Sequence, residues 1–399
     1  MNNSIYKIIK PLLIENSYEL INSVKILLFK ENQSIFDLID FNDEAIYCDP
    51  FIFMYVKNRE QVLENIIIGY AKNNMEIEIT TDEFGRIYIP NVGWLHTSYK
   101  KTRLKLHGKE LKLSKNDRLI HFKHEPIYHI ENTKIELLKY NLASLKPFYC
   151  DSEGIPLDVE IHEISKRHIE NITKEYNLIK TNVPTQFELI EEYAPKCVIF
   201  NIDSYKRNSF ATFAANGICF FNAYQDDYNE VFFIDDIAHQ SGHVIFNTLT
   251  YDITKFLKIS STTILETINL PSGIPVEKRS VHIVFHALYT YYTTFICLDA
   301  CISNNAFEKK QQHEAIGRIA FYLNKCYNDL LLIDNPISSE IKSNLIFTKI
   351  GLKIYKEIKN KWSEIFYKWH SKIVTFDMTN QPYNFTYSKF LELNPLTSE

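Results

Sequence analysis

Residues 235–243 read Asp235-Asp236-Ile237-Ala238-His239-Gln240-Ser241-Gly242-His243. Two histidines at positions i and i+4 lie one turn apart on the same face of a helix and can close on one metal ion. In hydrolytic zincins a Glu follows the first His and takes the proton from the metal-bound water. Gln240 occupies that position here, and an amide cannot act as a general base near neutral pH. The segment therefore predicts a metal-binding helix whose chemistry is not peptide-bond hydrolysis.

The composition predicts a water-soluble protein of two lobes. The chain has 399 residues, and single cores stop growing beyond roughly 250–300 residues. Hydrophobic residues make up 45% and charged residues 23%, and 44 Lys and Arg stand against 49 Asp and Glu. This balance favours neither nucleic acid nor an anionic membrane as a partner. Without a basic leader or a continuous apolar run of about 20 residues, we expect a cytoplasmic protein.

Cysteine usage points away from two common kinds of site. The seven cysteines are scattered and form no CxxC pair, which argues against a disulfide scaffold and a thiolate zinc site. Cys297 and Cys301 are four residues apart, and we assign them to packing.

Hydrophobic periodicity predicts an α+β fold with an N-terminal helical and β-hairpin lobe over residues 1–150. Helical spacing extends to about residue 75, and alternation follows over 76–130. Ile77 to Ile89, around the turn 82–85, reads as one hairpin, and Leu104 to Leu113 reads as a second. A stretch with Pro and Gly near 145–157 predicts the boundary between the lobes.

Residues 151–399 are expected to form a mainly helical, zincin-like metal lobe with a short sheet. Residues 197–200 and 217–221 are predicted to be two buried strands of one sheet. The metal helix is predicted to begin at Asp227 and to end near Thr250, and a second long helix to begin near Pro275. Two further helices, near 307–332 and 338–373, complete a bundle. A Gly within a helix is usually kept for the close approach of another element, and we expect this at Gly242.

The second long helix offers another i, i+4 pair, His282 and His286. A catalytic metal with open positions needs a third protein ligand, and His286 is the first choice. The other candidates for that role are His282, Asp235, Glu266 and Glu277. Asp235 and Asp236 are alternatively residues that orient an imidazole, or polar residues of the helix surface.

Arg279 precedes His286 by seven residues, which is about two helical turns. On a helix it would share a face with that histidine and could pair with a carboxylate held at the metal. The alternative is a solvated charge near the start of the helix. Tyr289, Tyr291 and Tyr292 either line the pocket or belong to the core.

The order of these features resembles a known family. A strand at 217–221, the His239 to His243 helix, Arg279 and His286-Ala287-Leu288-Tyr289 are similar to the HExxH-motif peptide-modification proteins found beside ribosomal peptide precursors. The resemblance covers roughly residues 195–330. It implies an Fe(II)- and 2-oxoglutarate-dependent enzyme that hydroxylates a side-chain carbon of a precursor peptide.

Carried over residue by residue, the resemblance makes His239, His243 and His286 the metal ligands. It implies cosubstrate binding by Arg279, to which we add Tyr289. Gln240 departs from the motif Glu, and we place it with Asp236 at the reaction centre. The alternative functions are a zinc hydrolase with a base at Glu266 or Glu277, and an inactive peptide-binding scaffold.

Overall fold

The structure is a computed structural model, and it describes residues 4–57, 62–72, 75–108, 110–225, 228–269, 275–334 and 343–396. It is a mixed α+β protein, 54% helical and 16% strand, with several small sheets. The helices are α1 Ser4–Glu31, α2 Ile35–Leu38, α3 Glu44–Cys48, α4 Pro50–Lys57, α5 Leu63–Ile67, α6 His162–Asn182, α7 Pro184–Tyr193, α8 Glu230–Leu249, α9 Val281–Ser303, α10 Lys309–Asp334, α11 Ser343–Ile346, α12 Lys349–Ile373 and α13 Tyr387–Leu393. The strands are β1 Glu76–Thr80, β2 Arg86–Ile89, β3 Gly93–His96, β4 Arg103–His107, β5 Lys112–Lys115, β6 Arg118–Ile120, β7 Lys123–Pro126, β8 Glu136–Leu137, β9 Lys196–Phe200, β10 Phe210–Ala211, β11 Ile218–Asn222, β12 Ile264–Asn269 and β13 Pro275–Ser280.

The chain divides into two compact units that are discontinuous in sequence. The first unit comprises Met1–Asn16, Glu170–Tyr193 and Asp227–Glu399, and the second comprises Ser17–Ile169 and Ala194–Asp226. The boundary predicted near residue 150 falls inside the second unit. The division is therefore more complex than the predicted split into residues 1–150 and 151–399.

The first unit is a helical bundle in which α8, α9, α10 and α12 carry most of the core. Gly242 on α8 allows α9 to approach closely, since a Cβ at this position would lie 2.6 Å from Oγ1 of Thr293. This agrees with the close approach predicted from the sequence. Of the helices in the described ranges, α9 alone is long and apolar enough to cross a membrane, and 78% of its most apolar window is buried in the protein. A helix buried in the core of a bundle passes the same test of length and composition.

Both long histidine-bearing helices begin later than the sequence suggested. The N-cap of α8 is Asn229, whose side chain accepts a hydrogen bond from the Val231 amide, and Asp227 lies outside the described residues. Pro275 does not begin a helix. It begins strand β13, which pairs antiparallel with β12, and α9 starts only after its N-cap Ser280.

In its described residues, the second unit contains three small sheets and the shorter N-terminal helices. Strands β9 and β11 are parallel neighbours, and their residues are buried, as predicted for 197–200 and 217–221. The predicted β4–β5 hairpin is also present. The predicted pairing of β1 with β2 is wrong, because β1 pairs with β4 and β2 pairs with β3.

Candidate functional site

Helices α8 and α9 bring three histidines together in the first unit. His239 and His243 lie one turn apart on α8, with ring centroids 4.9 Å apart. His286 on α9 faces His243, and its Nε2 lies 2.9 Å from Nδ1 of that residue. Each of the three side chains keeps a partly accessible surface. The cluster is thus reachable from outside the core.

Burial keeps these imidazoles neutral. It lowers the pKa of His243 to about 4, and it lowers the pKa values of His239 and His286 well below their usual range. The neighbouring imidazoles lower the pKa of His286 further. A neutral imidazole is the form that binds a metal ion, so metal binding near neutral pH would displace no proton from these nitrogens.

The geometry fits a metal in part. A metal ion binds imidazole nitrogens at a distance of about 2.1 Å. When the nitrogen–metal–nitrogen angle is about 90°, the two nitrogens are about 3.0 Å apart. The 2.9 Å separation between His243 and His286 is close to this value. Nδ1 of His239 is buried and has no hydrogen-bond partner in the described chain. Within the described ranges, however, no three His, Cys, Asp or Glu side chains form a ready metal site, so binding by all three histidines would require their side chains to move.

His282 lies at the edge of the cluster. Its ring centroid is 5.8 Å from that of His286 and 6.0 Å from that of Phe246. Burial lowers its pKa as well. It packs beside the cluster and has no hydrogen bond to another histidine among the described residues.

Gln240 points to a carboxylate one turn away on its own helix. Its Nε2 donates a 3.0 Å hydrogen bond to Oδ1 of Asp236, and both side chains are buried. This contact explains why an amide suits position 240, since a glutamate there would face a second carboxylate in a buried place. This hydrogen bond holds the two side chains together on one face of α8.

Asp235 belongs to a buried ion network. Its Oδ2 accepts a 2.7 Å hydrogen bond from Nη1 of Arg318, and Nε of Arg318 donates to Glu314. Tyr322 also hydrogen-bonds to the Asp235 carboxylate. Arg318 thus engages Oδ2 of Asp235, while the buried Oδ1 has no hydrogen-bond partner in the described chain.

Arg279 is the main correction to the predicted site. It lies on β13 and not on a helix, so it does not share a helix face with His286 as predicted. Its two terminal nitrogens donate bidentately to Asp329, at 2.6 and 2.7 Å. Nη1 also lies 3.3 Å from Glu266, and Nε lies 4.0 Å from Glu277. The Arg279 guanidinium is thus already paired with protein carboxylates. The two candidate bases, Glu266 and Glu277, in turn face this guanidinium.

The predicted tyrosines divide between core and site. Tyr289 is fully buried against Phe246, and its hydroxyl has no hydrogen-bond partner in the described chain. Contact between Tyr289 and a cosubstrate would require rearrangement. Tyr291 is more favourably placed, with its ring centroid 6.3 Å from that of His239.

Helix α10 supplies site residues that the sequence reading missed. Tyr322 stacks beside His239 with ring centroids 5.6 Å apart. Lys325 is close enough to His239 for its charge to lower the pKa of that imidazole. With Arg318 and Asp329, these residues recur every three or four positions, which places them on one face of α10. Polar residues at core-facing helical spacing are the signal that could have revealed them.

Comparison of the chain with protein-family models finds no match, and comparison with curated proteins finds no significant match.

Proposed function

We propose that this chain is an Fe(II)- and 2-oxoglutarate-dependent oxygenase that hydroxylates a side-chain carbon of a ribosomally made peptide in the cytoplasm. The supporting observation is the convergence of three neutral, partly accessible imidazoles, His239, His243 and His286, from two packed helices. We further propose that the first unit is zincin-like, because two of its proposed metal ligands, His239 and His243, lie one turn apart on helix α8.

Each proposed ligand is a neutral nitrogen donor, which suits iron or zinc among the common metals. Bound Fe(II) would supply the oxidation of a substrate C–H bond by O2, with 2-oxoglutarate as the co-reductant. The protein would hold the ion and position the peptide. Gln240, bonded to Asp236, cannot take a proton from water, which argues against hydrolysis.

The distal carboxylate of the cosubstrate needs a cation, and Lys325 is better suited than Arg279. Asp329 already occupies the fork of Arg279, and Nη1 of Arg279 also donates to Glu266. Lys325 donates to the Tyr383 carbonyl at 2.6 Å and has no carboxylate partner within salt-bridge distance in the described chain. Burial lowers the pKa of Lys325 to about 8, so most of its charge remains at pH 7. We therefore assign cosubstrate anchoring to Lys325.

The deciding experiment measures metal content and cosubstrate turnover in the full chain. Purified protein is loaded anaerobically with Fe(II), and bound iron and succinate formation are then measured with and without O2. We expect one iron per chain and oxygen-dependent succinate formation. His243→Ala and His286→Ala should lose at least tenfold in iron affinity, and His121→Ala, an exposed histidine of the second unit, should behave as the wild type.

Two other outcomes would replace the proposal. Tight zinc binding without succinate formation would favour a zinc hydrolase. Binding of neither metal would favour a peptide-binding scaffold without catalysis, which the direct hydrogen bond between His243 and His286 supports.

A further inference from the structure

The second unit contains a cleft that the metal site does not use. One basin of about 530 Å³ lies between β2, the end of β1 and the segment at 141–147. A second basin of about 690 Å³ lies along Asp158 to His162. Arg86 and Asn141 line both basins, so the two meet at these residues.

Arg86 is held rigidly at this junction. Its Nε donates a 2.7 Å hydrogen bond to Oδ2 of Asp82. Its guanidinium carbon lies 4.4 Å from the ring centroid of Phe84 and 4.4 Å from that of Tyr140. A guanidinium clamped between two rings and tethered through Nε loses little further freedom when it binds a ligand.

The terminal nitrogens of Arg86 are uncommitted. The side chain is only 10% exposed, yet neither Nη1 nor Nη2 has an acceptor in the described part of the chain. The other carboxylate oxygen of Asp82, Oδ1, accepts hydrogen bonds from the backbone amides of Phe84 and Arg86. A buried guanidinium with two free N–H2 groups on a cleft matches the planar fork of a carboxylate.

The walls of the first basin are mostly apolar, and Asp82, which is paired with Arg86, also lines it. Phe51, Ile66, Ile87 and Trp94 line it, and Trp94 contacts Tyr140 edge to face at 4.9 Å. Asn141 adds a buried Oδ1 with no donor in the described chain. An acceptor of this kind needs an N–H group, and an apolar wall needs an apolar side chain.

The second basin is lined by acidic residues and therefore favours a positively charged group of the ligand. Asp158, Glu160 and Asp203 line it. A ligand carboxylate would be repelled there, so the carboxylate belongs at Arg86 on the side of the first basin. The N-terminal part of a peptide, or its basic residues, would lie toward the acidic basin.

We propose that this cleft is a carboxylate-binding site centred on Arg86, whose ligand carries an amide N–H and an apolar side chain next to the carboxylate. Two sources share that chemistry: the C-terminus of a peptide and a free N-acyl amino acid. The proposal does not depend on a metal at the histidine cluster.

Isothermal titration of the full chain tests this with matched pairs of probes. The small pair is N-acetyl-L-phenylalanine and N-acetyl-L-phenylalaninamide. The long pair is a decapeptide ending in phenylalanine, with a free or an amidated C-terminus. We expect each acid to bind at least tenfold more tightly than its amide, because only the acid forms charge-assisted hydrogen bonds.

Substitutions at Arg86 localise the effect. Arg86→Met should abolish the preference for the acid, and Arg86→Lys should retain part of it. Arg103→Met is the matched control, because Arg103 is a 75% exposed arginine on β4 and lies outside both basins. Should Arg86→Met fail to fold, the reduced acid preference of Arg86→Lys decides the question.

Tighter binding of the acid decapeptide than of the small acid assigns the site to a peptide, and equal or weaker binding assigns it to a free acyl amino acid. The absence of an acid preference in the wild type, or the same preference in a folded Arg86 variant, overturns the proposal. These results are independent of iron binding, so they stand apart from the test of the oxygenase.

Discussion

Glu175 shows how a single buried group can oppose folding. It lies on α6 with 0% exposure, and both carboxylate oxygens lack a hydrogen-bond partner in the described chain. Burial raises its pKa well above the usual range, and the charge of Glu230 adds to this. The folded state therefore holds a proton that the unfolded chain releases, so stability falls as the pH rises above the ordinary pKa of a glutamate.

We expect Glu175→Gln to stabilise the protein at pH 8 by on the order of 1–3 kcal/mol, because the amide carries no charge to desolvate. The gain should shrink toward zero near pH 4.5, where both states of the wild type become protonated. Denaturant midpoints at the two pH values measure it. Glu170→Gln, an exposed change on the same helix, is the control and should show no such pH dependence. An equal gain at both pH values would contradict the electrostatic explanation.

Gln240 shows what residue identity can and cannot predict. Its amide excludes a general base at the position after His239, and this follows from the sequence alone. Its partner Asp236 depends on the rotamer that each side chain adopts in the core. The same holds for Arg279, whose charge suggested a carboxylate partner. The partner is Asp329, which lies 50 residues away, and sequence spacing could not identify it.

At the scale of elements, the contact between α8 and α9 depends on Gly242. We expect Gly242→Ala to destabilise the protein by about 1–3 kcal/mol, although Ala is the better helix former by roughly 1 kcal/mol. The added Cβ would lie 2.6 Å from Oγ1 of Thr293 and 3.4 Å from Cα of Thr290. Thermal unfolding of the variant measures the effect.

A second substitution tests the cause. Thr293→Ala removes the atom nearest to the new methyl group, so the cost of Gly242→Ala should be smaller in the Thr293→Ala background than in the wild type. Equal costs in both backgrounds would show that the clash is not with Thr293. Because α8 and α9 carry the histidines, a shift between them should also weaken metal binding.

The start of α9 shows why local patterns misplace elements. Pro275 suits the first turn of a helix, but it also suits the first residue of a strand. Pairing with β12 decides in favour of the strand, and the Ser280 side chain then caps α9 by accepting from the Ile283 amide. Strand pairing is a contact between separate segments, so a window along the chain does not contain it.

At the scale of the molecule, the first unit needs the N-terminal residues of α1. Nδ2 of Asn16 donates to the Leu249 carbonyl at 2.6 Å, and Oδ1 of Asn16 accepts from Lys255 at 3.1 Å. The hydroxyl of Tyr6 donates to Glu188 at 2.5 Å. Asn16 thus completes the end of α8, although it lies more than 200 residues before it.

We therefore expect a fragment of residues 151–399 to unfold at a lower denaturant concentration and less cooperatively than the first unit does in the full chain. Hydrogen exchange at the C-terminal turns of α8 should be at least tenfold faster in the fragment, because the contacts of Asn16 are lost. Asn16→Ala in the full chain should show a smaller effect in the same direction. Identical exchange in fragment and full chain would mean that the predicted boundary at residue 150 is an independent folding boundary after all.

Properties that depend on local periodicity and on residue chemistry could be predicted from the sequence. Helical spacing predicted α8 with two histidines on one face, alternation predicted the β4–β5 hairpin, and the short apolar runs predicted β9 and β11. Gly242 predicted a close approach of another element. Only the folded structure shows which segments meet: His286 against His243, Asp329 against Arg279, Tyr322 and Lys325 beside His239, and Asn16 at the end of α8. Such contacts join residues far apart in the chain, and their free energy depends on the packing of whole elements, which no local pattern encodes.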